Sequence, residues 1–205
     1  MKLTFKSPEI VVRAVKAGLT VYWRNTGYRV TEGMQIVHHS GSSEGAHWPP
    51  HDMSKIFAYV SQDTEDFLTT LLFCNEPEDW DEDEDEPPFN ADMHNRTIYD
   101  FAPEFVAAVE AFISGFRETL GNTDLDMLSR SFGGNVFLSL SGHGAGFWDD
   151  SHPMGRVVHD LLVAYSGDGY RFEQLYVSND ESGLLDMSFI PSAREEYRNK
   201  TFKLL

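Results

Sequence analysis

Cysteine is almost missing from this chain: Cys74 is the single one in 205 residues. An intramolecular disulfide and a cysteine-ligated zinc cluster are thereby excluded. Cys74 ends the apolar run FLTTLLFC and reads as a buried, inert thiol. Long apolar runs are missing too. No stretch of 18 apolar residues occurs, so no segment reads as a membrane span. The opening MKLTFKSPEIVVRAVKAG is interrupted by Pro8, Glu9 and Arg13 before a signal-peptide core develops, and the expected setting is the cytosol. There is no internal repeat, no G-x-G-x-x-G and no P-loop G-K-[ST], which removes the common phosphate-binding fingerprints.

Positive charge is scarce as well. Sixteen Lys or Arg stand against 33 Asp or Glu, for a net charge of −17. Its placement is uneven. Residues 1–30 hold six basic residues and one acid, a net of +5, and residues 192–205 hold four against two, a net of +2. The 161 residues between them therefore carry −24. A field of that sign repels a nucleic-acid backbone and attracts basic protein surfaces. The expected partner is a protein with a basic surface, without direct nucleic-acid binding and without a membrane.

Among what is present, residues 8–17 read as a short helix with Ile10, Val11, Ala14 and Val15 on one face, stopped by Gly18. Val21 and Trp23, then Tyr28 and Val30, flank Asn25-Thr26-Gly27 and read as a hairpin, with MQIVHH as a third strand. The Ser-, Gly- and Pro-rich stretch near 40–54 reads as a linker. The expected organisation is a helix-plus-hairpin module over 1–50 and a main domain over 51–205. Residues 63–73 fit a helix or a buried strand, with Asp63 as cap. Nine of the eleven residues 76–86 are acidic, which predicts a solvated loop. The clearest helix is 102–120, with Asp100 as cap, Pro103 in the first turn and Phe105, Val109, Phe112 and Phe116 at helical spacing. NVFLSLS (135–141) reads as a strand. A second main helix spans 152–167, capped by Ser151, with Val157, Val158, Leu161, Leu162 and Tyr165 on its apolar face. Residues 173–180 read as another strand. The expected fold is α+β: a mixed sheet with two main helices, including a strand–Gly loop–helix–strand unit.

The loop of that unit, SGHGAGFWDD, supplies the ligand-loop candidates Gly142, His143, Gly144, Gly146, Trp148, Asp149 and Asp150. A phosphate fits its place between strand and helix, but GHGAG has the wrong spacing and the two aspartates repel an anion. His143, Asp149, Asp150 and His152 are metal-ligand types at undiagnostic spacings, as are His38, His39, His47 and His51. Ser141 lacks the G-x-S-x-G context of an exposed nucleophile. The reading preferred is a corner in which the glycines allow positive φ while Phe147 and Trp148 cover the core. No cofactor or metal is expected, and the chain leans away from being an enzyme.

FLSLSGHGAGFWDD together with LLVAYSGDGYRFEQLYVSNDESG resembles a group of uncharacterised tailed-bacteriophage proteins carrying an N-G-H-G-A-G-F-W-D motif. The likeness covers roughly 100–183 and is most specific over 142–149; Ser141 stands where Asn is usual. More faintly, VKAGLTVYWRNTGYRV is similar to a second short phage module. The resemblance implies phage origin and the host bacterial cytoplasm, and carries over no catalytic residue. With the acidity, it implies an accessory protein that binds and inhibits a host nucleic-acid-binding or defence protein, with carboxylates standing in for DNA phosphates. Asp124, Asp126, Asp81, Glu82, Asp83 and Glu84 are the partner-binding candidates. The alternative is a small-molecule, nucleotide or metal-binding protein or enzyme using the loop at 142–152.

Overall fold

Ser7 begins the first helix, α1 (Pro8–Lys16), by accepting a hydrogen bond from Ile10 N–H on its hydroxyl, and Pro8 occupies the first turn. Val11, Ala14 and Val15 are buried on its inner face, and Gly18 leaves the helix at φ +95°. In the computed structural model the described residues are 1–40, 48–75, 95–121, 131–142, 144–166, 177–179, 183–187 and 193–194. The acidic run 76–86 lies outside them.

Five short strands make one antiparallel sheet: β1 (Lys2–Thr4), β2 (Val21–Trp23), β3 (Asn25–Val30), β4 (Ile36–His38) and β5 (Ile56–Tyr59), in the order β1-β5-β2-β3-β4. The expected hairpin and third strand are β2–β3–β4. The chain reverses at Arg24, φ +64°, and the Asn25 side chain accepts from Gly27 N–H, so the turn residues form an irregular start to β3. β1 and β5 were not legible as strands. β5 follows residue 50 yet lies between β1 and β2, so the expected boundary at 50 falls within one hydrogen-bonded sheet. The sheet is antiparallel throughout, which corrects the expected mixed sheet.

Leu3, Val21, Val30, Ile36, Ile56 and Ala58 face the core. Against them lie α1 and the long helices α2 (Gln62–Asn75) and α3 (Pro103–Leu120), followed by α4 (Phe132–Ser141) and α5 (Gly155–Tyr165). The fold is α+β, as expected, with five α-helices among the described residues. Segment 63–73 is helical. Its N-terminus is held by the Ser61 hydroxyl, which accepts from Thr64 N–H, and not by Asp63. Asp63 is instead ion-paired with Arg117 of α3. Phe105, Val109, Phe112 and Phe116 of α3 are buried as their spacing predicts. Asp100 does not cap α3; it closes a turn by accepting from the N–H and hydroxyl of Thr97 and pairs with Lys6.

The largest correction is 135–141. It belongs to α4, so the supposed strand–loop–helix is helix–loop–helix. Ser131 caps α4 by accepting from Gly134 N–H, and the stripe Phe132–Val136–Leu140 with Gly133–Phe137 is buried. The alternation in NVFLSLS mimicked a strand because the helical stripe begins three residues earlier, at Phe132. α5 starts at Gly155, without a side-chain cap from Ser151. Val157 points outward, 41% exposed, while Val158 and Leu162 carry the inner face. Two last strands, β6 (Val177–Asn179) and β7 (Leu185–Met187), pair antiparallel, and Leu185 bridges Phe101 just before α3.

Candidate functional site

Gly142 ends α4 in the left-handed region at φ +70°, a common helix exit. Gly144 (φ +76°) and Gly146 (φ +124°) continue the reversal. Phe147 then drops into the core, fully buried, with its ring 5.2 Å from that of Phe132, and its N–H donates to the Ser139 hydroxyl at 2.9 Å. Residues Phe147–Asp149 form a single 3-10 turn. Trp148 is 39% exposed and its indole N–H donates to the Ala145 carbonyl at 3.2 Å. Trp148 therefore lies on the rim instead of covering the core as expected.

Among the described residues of the loop, Ser141, Asp150 and His152 make local hydrogen bonds. Asp150 accepts from His152 N–H at 2.8 Å, and His152 Nδ1 accepts from Met154 N–H at 3.2 Å. Ser141 Oγ donates to the Leu138 carbonyl at 3.3 Å. These bonds satisfy the approach to α5 and leave Asp149 as the exposed carboxylate. His143 lies outside the described residues, as do Asp124, Asp126, Asp81, Glu82, Asp83 and Glu84. Among the described residues no group of three or more His, Cys, Asp or Glu is placed to hold a metal ion. His38 and His39 are adjacent, ring centroids 4.5 Å apart, and His38 Nδ1 is engaged with Ser40 Oγ at 2.7 Å. Cys74 is half-buried, and burial pushes its thiol up, away from the reactive thiolate.

A narrow apolar cleft opens between β1, α1 and the start of α3, with Phe5, Ile10, Leu19, Ile98 and Tyr99 among its walls. Among the described residues its one charged group is Lys6, paired with Asp100 at 2.8 Å. Burial by itself would raise the Asp100 carboxyl; the Lys6 ammonium and the Thr97 donors outweigh it and hold the carboxyl low.

His159 is a buried titratable group of α5. Burial pushes its pKa down; Asp160 opposes this and Arg156 adds to it. The unfolded histidine, with its ordinary pKa near 6.5, takes up a proton before the folded one does. Stability from this group is therefore complete above about pH 6.5 and is lost as pH falls from there through the folded pKa. Thermal melts of wild type and His159→Phe between pH 8 and pH 5 should converge or cross in favour of the variant as pH falls. A constant difference between the two melting temperatures would refute a buried, neutral His159.

A second surface was not singled out from sequence. The sheet face turned away from the core carries Lys2, Thr4, Tyr22, Arg29 and Tyr59 around a buried Phe57. Tyr22, Phe57 and Tyr59 form a ring cluster with centroids 5.3 to 6.2 Å apart, and Lys2 Nζ lies 4.2 Å above the Phe57 ring. The only sequence signal was Tyr22 alternating with Val21 and Trp23; Lys2 and Tyr59 sit in strands the pattern did not reveal.

No family model, curated protein or solved structure matches this chain. Among the described residues no helix is long and apolar enough to cross a membrane.

Proposed function

We propose that this chain is a non-catalytic acidic binding protein whose carboxylates engage a partner protein with a basic surface. In its finer form, the partner is a host nucleic-acid-binding or defence protein of a phage-infected bacterium, and the carboxylates occupy the place of DNA phosphates. The observation that carries the reading is where the acidity lies. Residues 31–191 carry a net charge of −24, and nine of the eleven residues 76–86 are acidic. Outside that run, four acids are ion-paired within the fold: Asp63 with Arg117, Glu104 with Arg13, Asp100 with Lys6 and Asp52 with Lys55. The run 76–86 contains no Lys or Arg to balance its nine carboxylates.

The test is a partner captured from bacterial lysate, identified, purified and titrated at 0.1 M and 0.5 M salt, with and without duplex DNA. Electrostatic binding should weaken at least tenfold at the higher salt and be displaced by DNA, because screening shortens the reach of exposed charge. Replacing the acids of 76–86 by their amides should weaken it further. Salt-independent binding that ignores both DNA and the amide variant would overturn the proposal.

A further inference from the structure

We propose that the open face of the five-stranded sheet binds single-stranded nucleic acid, with unpaired bases stacked on Tyr59 and Tyr22 and phosphates held by Lys2 and Arg29. The inference goes beyond the acidic-surface reading and does not depend on it.

The register puts these side chains together. Lys2 lies opposite Tyr59; Thr4 lies opposite Phe57; Phe57 lies opposite Tyr22, and Tyr22 opposite Arg29. Directly opposed residues of antiparallel strands share a face. Ile56 and Ala58 alternate with them onto the core side and are fully buried. Phe57 is 3% exposed but lies outside the main core cluster; the rings of Tyr22 and Tyr59 and the Lys2 ammonium cover it from the open side. It thus acts as the floor of the platform. Tyr59 stands on it with 55% of its surface exposed.

Charge selects the occupant. The strands KLT, VYW, NTGYRV, IVH and IFAY contain no Asp or Glu, in a chain with 33 of them. Lys2 and Arg29 are exposed and enter no ion pair with another side chain among the described residues. They flank the rings three strands apart, about 14 Å at the ordinary strand spacing. Rings between two cations suit a polyanion that also presents flat apolar faces. A single strand does this, whereas a duplex hides its bases in the stack. The net acidity of the chain does not describe this face, whose strands carry Lys2 and Arg29 and no acid.

The probe is a fluorescein-labelled dT12, titrated by anisotropy with the full chain at 50 and 200 mM salt, and U12 and a 12-base-pair duplex are run beside it. Binding of a single strand in preference to the duplex is expected. Two phosphate contacts give a log–log salt slope of about −1.4, or about sevenfold weaker binding at 200 mM. Tyr59→Ala should cost about tenfold and Tyr59→Phe little, since the ring rather than the hydroxyl stacks. Lys2→Glu and Arg29→Glu should each weaken binding and flatten the slope. Tyr59 and Arg29 are exposed, so their variants should melt like the parent, which keeps the binding result separable from folding. No binding of either single strand at 50 mM salt overturns the proposal. So does equal binding of the duplex, an unchanged affinity in Tyr59→Ala, or tighter binding of a poly-glutamate peptide to the same face, which would assign it to an acidic protein.

Discussion

Gly133→Ala is expected to lower the melting temperature by about 6–12 °C, or to abolish folding. Gly133 lies in the first turn of α4 where its backbone meets the backbone of Asp63 at the start of α2. A Cβ added at Gly133 would overlap the Asp63 carbonyl, with the Asp63 Cα at 3.0 Å. The carbonyl has nowhere to retreat. The Asp63 carboxylate is paired with Arg117, whose Nη2 donates to Oδ1 at 2.9 Å, and the Arg117 guanidinium lies 4.1 Å above the Phe132 ring. Two residues earlier, the N–H and hydroxyl of Ser61 both donate to Glu110 at 2.9 Å. Helices α2, α3 and α4 are tied at this point, so relief of the clash must move all three. Overpacking against fixed backbone costs on the order of 3 kcal/mol or more, which at 2–4 °C per kcal/mol for a chain of this size gives the stated shift. Gly134→Ala provides the contrast. Its Cβ would meet Ser131 Oγ and Thr70 Oγ1, side-chain ends that can rotate away, and the loss should be markedly smaller. Equal melting of Gly133→Ala and wild type would show that α2 and α4 do not approach this closely.

The second large effect is Gly146→Ala in the glycine loop. Gly146 has φ +124° and ψ −156°, a region essentially restricted to glycine. Its Cβ would also lie 2.7 Å from Ser139 N and 3.0 Å from Ser139 Cα, against the helix that Phe147 packs on. Strain and clash act together, and about 3 kcal/mol or more is expected. Gly144 has φ +76° and open space around it, so Gly144→Ala should cost only about 1–2 kcal/mol, the ordinary left-handed penalty. Thermal or urea melts of the two variants measure the difference. A ranking with Gly144 the more sensitive would mean the corner does not rest on the approach of Gly146 to Ser139. The same comparison bears on the loop as a ligand site: a corner loses stability at Gly146, whereas a ligand loop would lose binding at exposed positions such as Trp148 and Asp149 while still folding.

The candidate surfaces were unevenly visible beforehand. The glycine loop announced itself by composition, and its positive φ angles followed from having glycine at 142, 144 and 146. Its purpose was less visible, because the partners that use up its polar atoms, Ser139 for Phe147 N–H and Asp150 for His152 N–H, are ordinary residues with many possible roles. The basic aromatic sheet face was nearly invisible. Lys2, Tyr22, Arg29 and Tyr59 are far apart in sequence and meet only through strand pairing.

Sequence alone determined α1 and α3, the α+β class and the meander β2–β3–β4. Those rest on apolar periodicity, on Pro103 in the first turn of α3 and on glycine-marked stops and turns within a window of ten to twenty residues, where local signals are self-sufficient. Tertiary structure decided that 135–141 is helical, because its alternation is compatible with either period and only burial against α2 selects 3.6. It decided that β5 pairs with β1 and β2 across more than thirty residues, since three- and four-residue strands carry too little pattern to specify their neighbours. It decided which glycines are indispensable, because backbone contact between distant segments leaves no trace in the residues on either side. And it decided that an acid-free, basic and aromatic face exists in an acidic chain: a sequence sums its charges, while strand pairing sets Lys2 and Arg29 beside Tyr22 and Tyr59.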